Sequence, residues 1–175
     1  VTEVAPPAVL IDVDGVLNPY RAKPHRRPAG YGTHRLRPNG WADRKPLRVW
    51  LHPEHGPMLL DLAERADVEL WWCTTWERDA NTMIGPPIGL PELPVVKFGF
   101  RGSASWKFAP VLDAFHGRPL AWLDDDFDDH PALLRWFVEQ RSATPTLLVR
   151  IDPRIGLQPA DLDRIAEWRQ GLPRD

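Results

Sequence analysis

The chain has a single cysteine, Cys73, so it can form neither an internal disulfide nor a multi-cysteine zinc site. No apolar run approaches the length needed to span a bilayer, which predicts no membrane partner. The opening residues Val1 to Pro7 lack the basic start and apolar centre of a signal peptide. The six histidines (His25, His34, His52, His55, His116 and His130) show no metal-ligand spacing. Internal repeats and low-complexity tails are missing too. These absences predict a soluble, cytoplasmic protein. At 175 residues and 43% hydrophobic, the chain suffices for one well-buried core and is short for two. One domain, 1–175, is expected.

Apolar runs and amphipathic stretches alternate along it. Strands are expected at about 8–13, 68–73, 95–98, 120–123 and 146–151. Leu59, Leu62, Ala63 and Ala66 follow helical spacing within about 54–66, and residues 77–84 suit a short helix. Phe108, Val111, Leu112 and Phe115 mark another helix, with Ser103 or Ser105 as its N-cap. Asp128 or Asp129 followed by Pro131 suits the start of a helix through Val138, and a closing helix covers 159–171. The Pro/Gly-rich run 85–94 reads as a loop. This alternation predicts an α/β fold: a three-layer, Rossmann-like sandwich around a mostly parallel five-stranded sheet. One long insertion, 19–50, follows the first strand. Within it, 31–37 and 47–51 suit a hairpin around Pro38-Asn39-Gly40.

In open parallel sheets, ligands bind beyond the carboxyl ends of the strands. Those ends carry Asp12 and Asp14, then Thr74 and Thr75, then Asp124, Asp125 and Asp126. Adjacent carboxylates repel and are costly to desolvate, and a cation between them removes that cost. Oxygen-only ligation suits a hard cation, Mg²⁺ above all. Lys107 adds a positive charge early in a helix, with Lys97 as its substitute near a strand. The acidic run from Asp124 to Asp129 has five acids in six residues, so some serve the solvent or a helix cap. Cys73, inside an apolar strand, reads as core rather than as a nucleophile. Trp41, Trp50 and Trp76 lie in or near the loops at this edge and read first as packing, with stacking on a base or ring as the alternative.

Four segments, taken together, resemble the haloacid dehalogenase (HAD) superfamily of aspartate-nucleophile phosphohydrolases. Asp12-Val13-Asp14-Gly15-Val16-Leu17 is similar to its first motif and Trp71-Trp72-Cys73-Thr74 to its second. Ser105-Trp106-Lys107-Phe108 is similar to the third, and Trp122-Leu123-Asp124-Asp125 to the fourth. The resemblance covers residues 8–150. It implies that Asp12 attacks phosphorus and forms an aspartyl-phosphate. Asp14 would protonate the leaving oxygen and then activate water. Thr74, or its neighbour Thr75, would bind the phosphoryl oxygens, and Lys107 would neutralise charge there. Mg²⁺ would be held by Asp12, the backbone carbonyl of Asp14, Asp124 and Asp125, with Asp128 as the alternative of a wider-spaced form.

The resemblance implies a capless, open site, because neither usual cap position holds a domain. Charge then becomes informative. From Arg21 to Arg48 there are nine Lys or Arg and one acid, so this segment carries +8 and the remainder −10 of the net −2. Such a block is solvated surface or a positive rim for an anionic substrate. Its place beside the catalytic edge favours the rim, with Arg26, Arg27, Arg35 and Arg37 as candidate contacts. A phosphorylated substrate is expected, a nucleic-acid end or a nucleotide first. The chain is also similar, more weakly, to HAD-type domains associated with RNA-repair systems. Two other readings stand beside this one. One is a phosphate- or nucleic-acid-binding module without turnover. The other is a small-metabolite phosphatase whose pocket an oligomer partner closes.

Overall fold

The computed structural model describes residues 5–23, 26–98 and 107–173. Four parallel strands form the central sheet: β1 (Ala8–Ile11), β4 (Glu69–Trp72), β5 (Leu120–Asp124) and β6 (Thr146–Arg150), in the order β4-β1-β5-β6. β1 lies between two neighbours and is buried along its whole length. That explains why Ala8-Val9-Leu10-Ile11 is continuously apolar rather than alternating. Two further strands, β2 (Gly32–Leu36) and β3 (Leu47–Leu51), pair antiparallel as a separate hairpin.

The helices are α1 (His55–Ala66), a short α2 (Gly85–Ile88), α3 (Phe108–Ala114), α4 (Pro131–Gln140) and α5 (Pro159–Gln170). Successive side chains of a strand point to opposite faces. Val9, Ile11, Ala121 and Leu123 therefore join Leu59 and Leu62 of α1 and Leu162 and Ile165 of α5 in one core cluster. Ala8, Leu10, Leu120 and Trp122 face the other way, against Phe108, Val111 and Phe115 on the α3 side and Phe137 of α4. A parallel sheet with helices over both faces is the expected three-layer arrangement.

Two expectations are corrected. The strand expected at 95–98 is only a bridge: Val95 pairs with Trp72 at the outer edge of β4. Among the described residues the regular sheet has four strands rather than five. The run 85–94 is not all loop either. A π-helical turn at Ala80–Ile84 leads directly into α2, whose prolines fall in the first turn, where a missing N–H costs nothing. Ser103 and Ser105, expected to cap α3, lie outside the described residues. Lys107 occupies the N-cap position of that helix.

The hairpin strands fall where the alternation placed them, but Pro38-Asn39-Gly40 is only the start of a longer connection. The connection is braced from within by Arg37, which donates to the carbonyls of Asp43 (3.0 Å) and Arg44. Trp41 Nε1 donates to the Lys45 carbonyl at 2.9 Å. Val49 and Leu51 are buried in the main core, so the hairpin is docked on the domain beside the end of β1.

Candidate active site

The backbone N–H of Asp12 still bonds to the Leu123 carbonyl, 3.1 Å away, so its side chain emerges where the sheet ends. Asp12 is only 5% exposed and Asp124, the last residue of β5, is fully buried. Between them lies Lys107. Its Nζ is 2.6 Å from Asp12 Oδ2, 2.7 Å from Asp124 Oδ2 and 3.6 Å from Asp126 Oδ2. Two strands and a helix N-terminus thus meet at one ammonium group.

That single cation does not balance the site. One oxygen each from Asp12, Asp124 and Asp125 lie within 4.8 Å of one another. Burial pushes the Asp12 carboxyl above its ordinary range, with Lys107 pulling against it. Burial and then the charge of Asp12 push Asp124 well above that range. Asp125, less buried, is pushed up to about 6 by burial first and by Asp12 and Asp126 next. Burial works against the charge of Lys107 too, but Asp12, Asp124 and Asp126 outweigh it and keep the ammonium protonated. A compact all-oxygen donor set with excess negative charge fits a hard divalent cation. The acidic group can hold a metal ion.

Gly15 explains how these carboxylates approach each other. Its φ of +83° belongs to glycine, and a Cβ there would lie 2.1 Å from the Asp125 carboxyl carbon. The turn after β1 therefore leaves room for Asp125 only because residue 15 has no side chain.

The carboxylate of Asp14 does not belong to that acidic group. Its Oδ1 accepts from Asn18 Nδ2 at 2.7 Å and its Oδ2 from Trp76 Nε1 at 2.9 Å. Thr74 is fully buried, its hydroxyl accepts from the Trp76 backbone N–H at 3.4 Å, and it favours the charged form of Asp12; Thr75 is exposed. Lys97, the substitute for Lys107, is exposed. Asp128 is exposed as well, and both its oxygens accept from Arg150 at 3.0 Å. The structure thus brings Asp12, Thr74, Lys107, Asp124 and Asp125 together, sets Asp14 beside them, and leaves Asp128 out. Cys73 is buried in the core, and burial pushes its thiol well up, which makes it inert.

The arginines expected at the rim lie on and beside the hairpin. In the hairpin register Arg35 stands directly opposite Arg48, and Thr33 opposite Trp50. The Arg48 guanidinium lies 4.2 Å from the centre of the Trp50 ring, and Arg27 donates to the Thr33 hydroxyl at 3.1 Å. Among the described residues Arg26, Arg27, Arg35 and Arg48 have no carboxylate partner. Arg37 is exposed too, and its guanidinium donates to the loop carbonyls of Asp43 and Arg44.

Sequence reasoning missed Asn18 as a partner of Asp14, Asp126 as a third acid on Lys107, and Arg48 opposite Arg35. It also missed Tyr20, whose hydroxyl donates to Asp125 Oδ2 at 3.3 Å. Position near the motif was the only signal available for Asn18 and Tyr20. Trp76 was noticed for its ring, while the structure uses its N–H.

No curated protein and no solved structure matches the chain. The family model described as "HAD domain in Swiss Army Knife RNA repair proteins" matches residues 8–162. By that match the chain belongs to that HAD-domain family, which gives it chemistry of the phosphohydrolase type.

Proposed function

We propose that the protein is a Mg²⁺-dependent phosphomonoester hydrolase that works through an aspartyl-phosphate on Asp12 and acts on phosphorylated nucleic-acid ends. The observation that carries this reading is Lys107 bridging Asp12 and Asp124 beside Asp125. In this reading Asp12 would be the nucleophile, Lys107 a fixed cation and the acid group the metal site, all within reach of one phosphoryl group.

Asp12, Asp124 and Asp125 would hold the metal, which when bound screens the phosphoryl oxygens from the attacking carboxylate. Asp12 then attacks phosphorus, the bond to the leaving oxygen breaks, and Asp14 gives that oxygen its proton. Lys107 and the Thr74 hydroxyl stabilise charge that builds on the transferring group. In the second step Asp14 takes a proton from water, which attacks phosphorus and releases Asp12. Phosphate and the alcohol leave, and both carboxyl groups return to their starting states.

Metal binding and pH are coupled in this account. In the metal-free fold Asp125 holds its proton up to about 6, against an ordinary 3.8, and a cation must displace that proton. Its raised value contributes stability that is full below the unfolded value and lost as pH rises through the folded one. Metal binding restores what is lost. The gain in Tm from excess Mg²⁺ is therefore expected to be small near about pH 5 and clearly larger near about pH 7. A gain that shrinks across that range contradicts the assignment of Asp125 as a ligand.

Nucleic acid is favoured as substrate by the outer face of the hairpin. Like charges placed directly opposite on a strand pair destabilise it, and Arg35 faces Arg48 with no carboxylate paired to either among the described residues. A phosphate backbone laid there would relieve the repulsion. The occurrence of this family in RNA repair proteins makes RNA ends the first substrates to test, against nucleotides, sugar phosphates and phosphopeptides. Replacing Arg27, Arg35 and Arg48 by glutamine is expected to raise KM for an end-phosphorylated oligoribonucleotide by about tenfold or more. Turnover of a small aryl phosphate stays within about twofold, since the reacting centre is untouched. Each lost contact flattens the log–log salt dependence of oligonucleotide binding by about 0.7. Equal effects on both substrates return the hairpin to ordinary surface.

A further inference from the structure

We infer that Asn18 and Trp76 are positioning residues for Asp14, holding its carboxylate where a proton can pass to the leaving oxygen. The inference rests on the acid–base role proposed for Asp14. The two donors reach different oxygens from different segments: Asn18 from the turn after β1, Trp76 from the turn after β4. A carboxylate held at one oxygen can still rotate, whereas one held at both has its plane fixed. Each oxygen accepts one of these bonds and keeps acceptor capacity for the proton that moves during catalysis.

Both donors are themselves anchored. Asn18 is 4% exposed, and its Oδ1 accepts the backbone N–H of Trp50 in β3 at 3.0 Å. That bond turns the amide so that its NH₂ faces Asp14. An aspartate could accept from Trp50 but could not donate to Asp14, and an aliphatic side chain could do neither. Trp76 is 6% exposed and its ring packs into the core. Its backbone N–H bonds to Thr74 Oγ1 at 3.4 Å, and its carbonyl accepts from the Asp79 N–H at 2.9 Å. Asp79 in turn clasps the hairpin connection, taking the Asn39 backbone N–H at 2.6 Å and its Nδ2 at 2.7 Å. The hairpin thus fixes one donor at its base and steadies the segment bearing the other near its tip. A buried indole N–H finds a partner somewhere; here the partner is the reacting acid.

The test compares the wild-type chain with Trp76→Phe, which keeps a ring and removes the donor. It also uses Asn18→Asp, which keeps the acceptor for Trp50 and removes the donor to Asp14. Single-turnover cleavage with Mg²⁺ is followed for dinitrophenyl phosphate, whose leaving group departs without a proton. An unactivated alkyl phosphate, which needs that proton, is followed in parallel. Each variant is expected to slow the alkyl ester about ten- to a hundredfold, but dinitrophenolate release less than about threefold. KM for both esters is expected to stay nearly unchanged. Equal slowing of the two esters, or alkyl cleavage at the wild-type rate, overturns the inference. Asp14→Asn, run beside them, separates the levels of failure. If Asp14→Asn slows both esters alike, the acid role falls; if the wild type cleaves neither ester, the phosphohydrolase reading falls. In either case the positioning role falls with it.

Discussion

Asp12→Asn is expected to lower phosphomonoester turnover by at least about a thousandfold, because it removes the nucleophile and with it the covalent path. The amide has nearly the size of the carboxylate, so the packing around Val13 and Thr74 is preserved. One negative charge leaves a site where four carboxylates surround one ammonium. Folding stability should therefore hold or rise while activity collapses. That opposition between the two readouts separates a chemical role from a structural one. Steady-state phosphate release and a urea melt on the same preparation check it, and near wild-type turnover contradicts the nucleophile assignment.

Lys107→Met is expected to damage both properties. Methionine matches the unbranched stem of lysine but leaves Asp12 and Asp124 buried without their shared cation. Breaking a buried pair by removing one partner costs about 3–5 kcal/mol, and here one amine serves two buried acids. Protonation limits the loss, since burial already pushes both carboxyls upward. The deficit should thus be large near about pH 7 and shrink towards about pH 5, where the acids neutralise themselves. Excess Mg²⁺ should recover part of the stability at neutral pH by taking up the uncompensated charge. Turnover should still fall by about a hundredfold or more, because a positioned charge on the transferring group is missing. Urea melts across pH, with and without metal, check the first part. A deficit independent of pH contradicts the charge argument.

The convergence of the candidate site's side chains was legible because each of its parts is local. Asp12 and Asp14 end an apolar run, Asp124 and Asp125 end another, and parallel strands bring their carboxyl ends to one edge. Lys107 stood out by its place at a helix start within the family pattern. The partners of these groups were not legible, since they depend on how distant segments pack. Nothing in the sequence pairs Trp76 with Asp14 or Asn39 with Asp79. The opposition of Arg35 and Arg48 depends on hairpin register, which a one-residue slip would undo. The strand expected at Val95–Phe98 failed for a different reason. Its composition suits a strand, but among the described residues its pairing is confined to the bridge between Val95 and Trp72.

The central claim is the covalent intermediate on Asp12, and trapping it is the most direct test. The protein would be mixed with an end-phosphorylated oligoribonucleotide and Mg²⁺, quenched in acid within the first turnover, and reduced with borohydride. An acyl phosphate is converted in this way to the corresponding alcohol, which peptide mass spectrometry locates. The account predicts homoserine at position 12 alone, absent without metal and absent from Asp12→Asn. Phosphate release without any reduced residue, or reduction at Asp125 in place of Asp12, would contradict it.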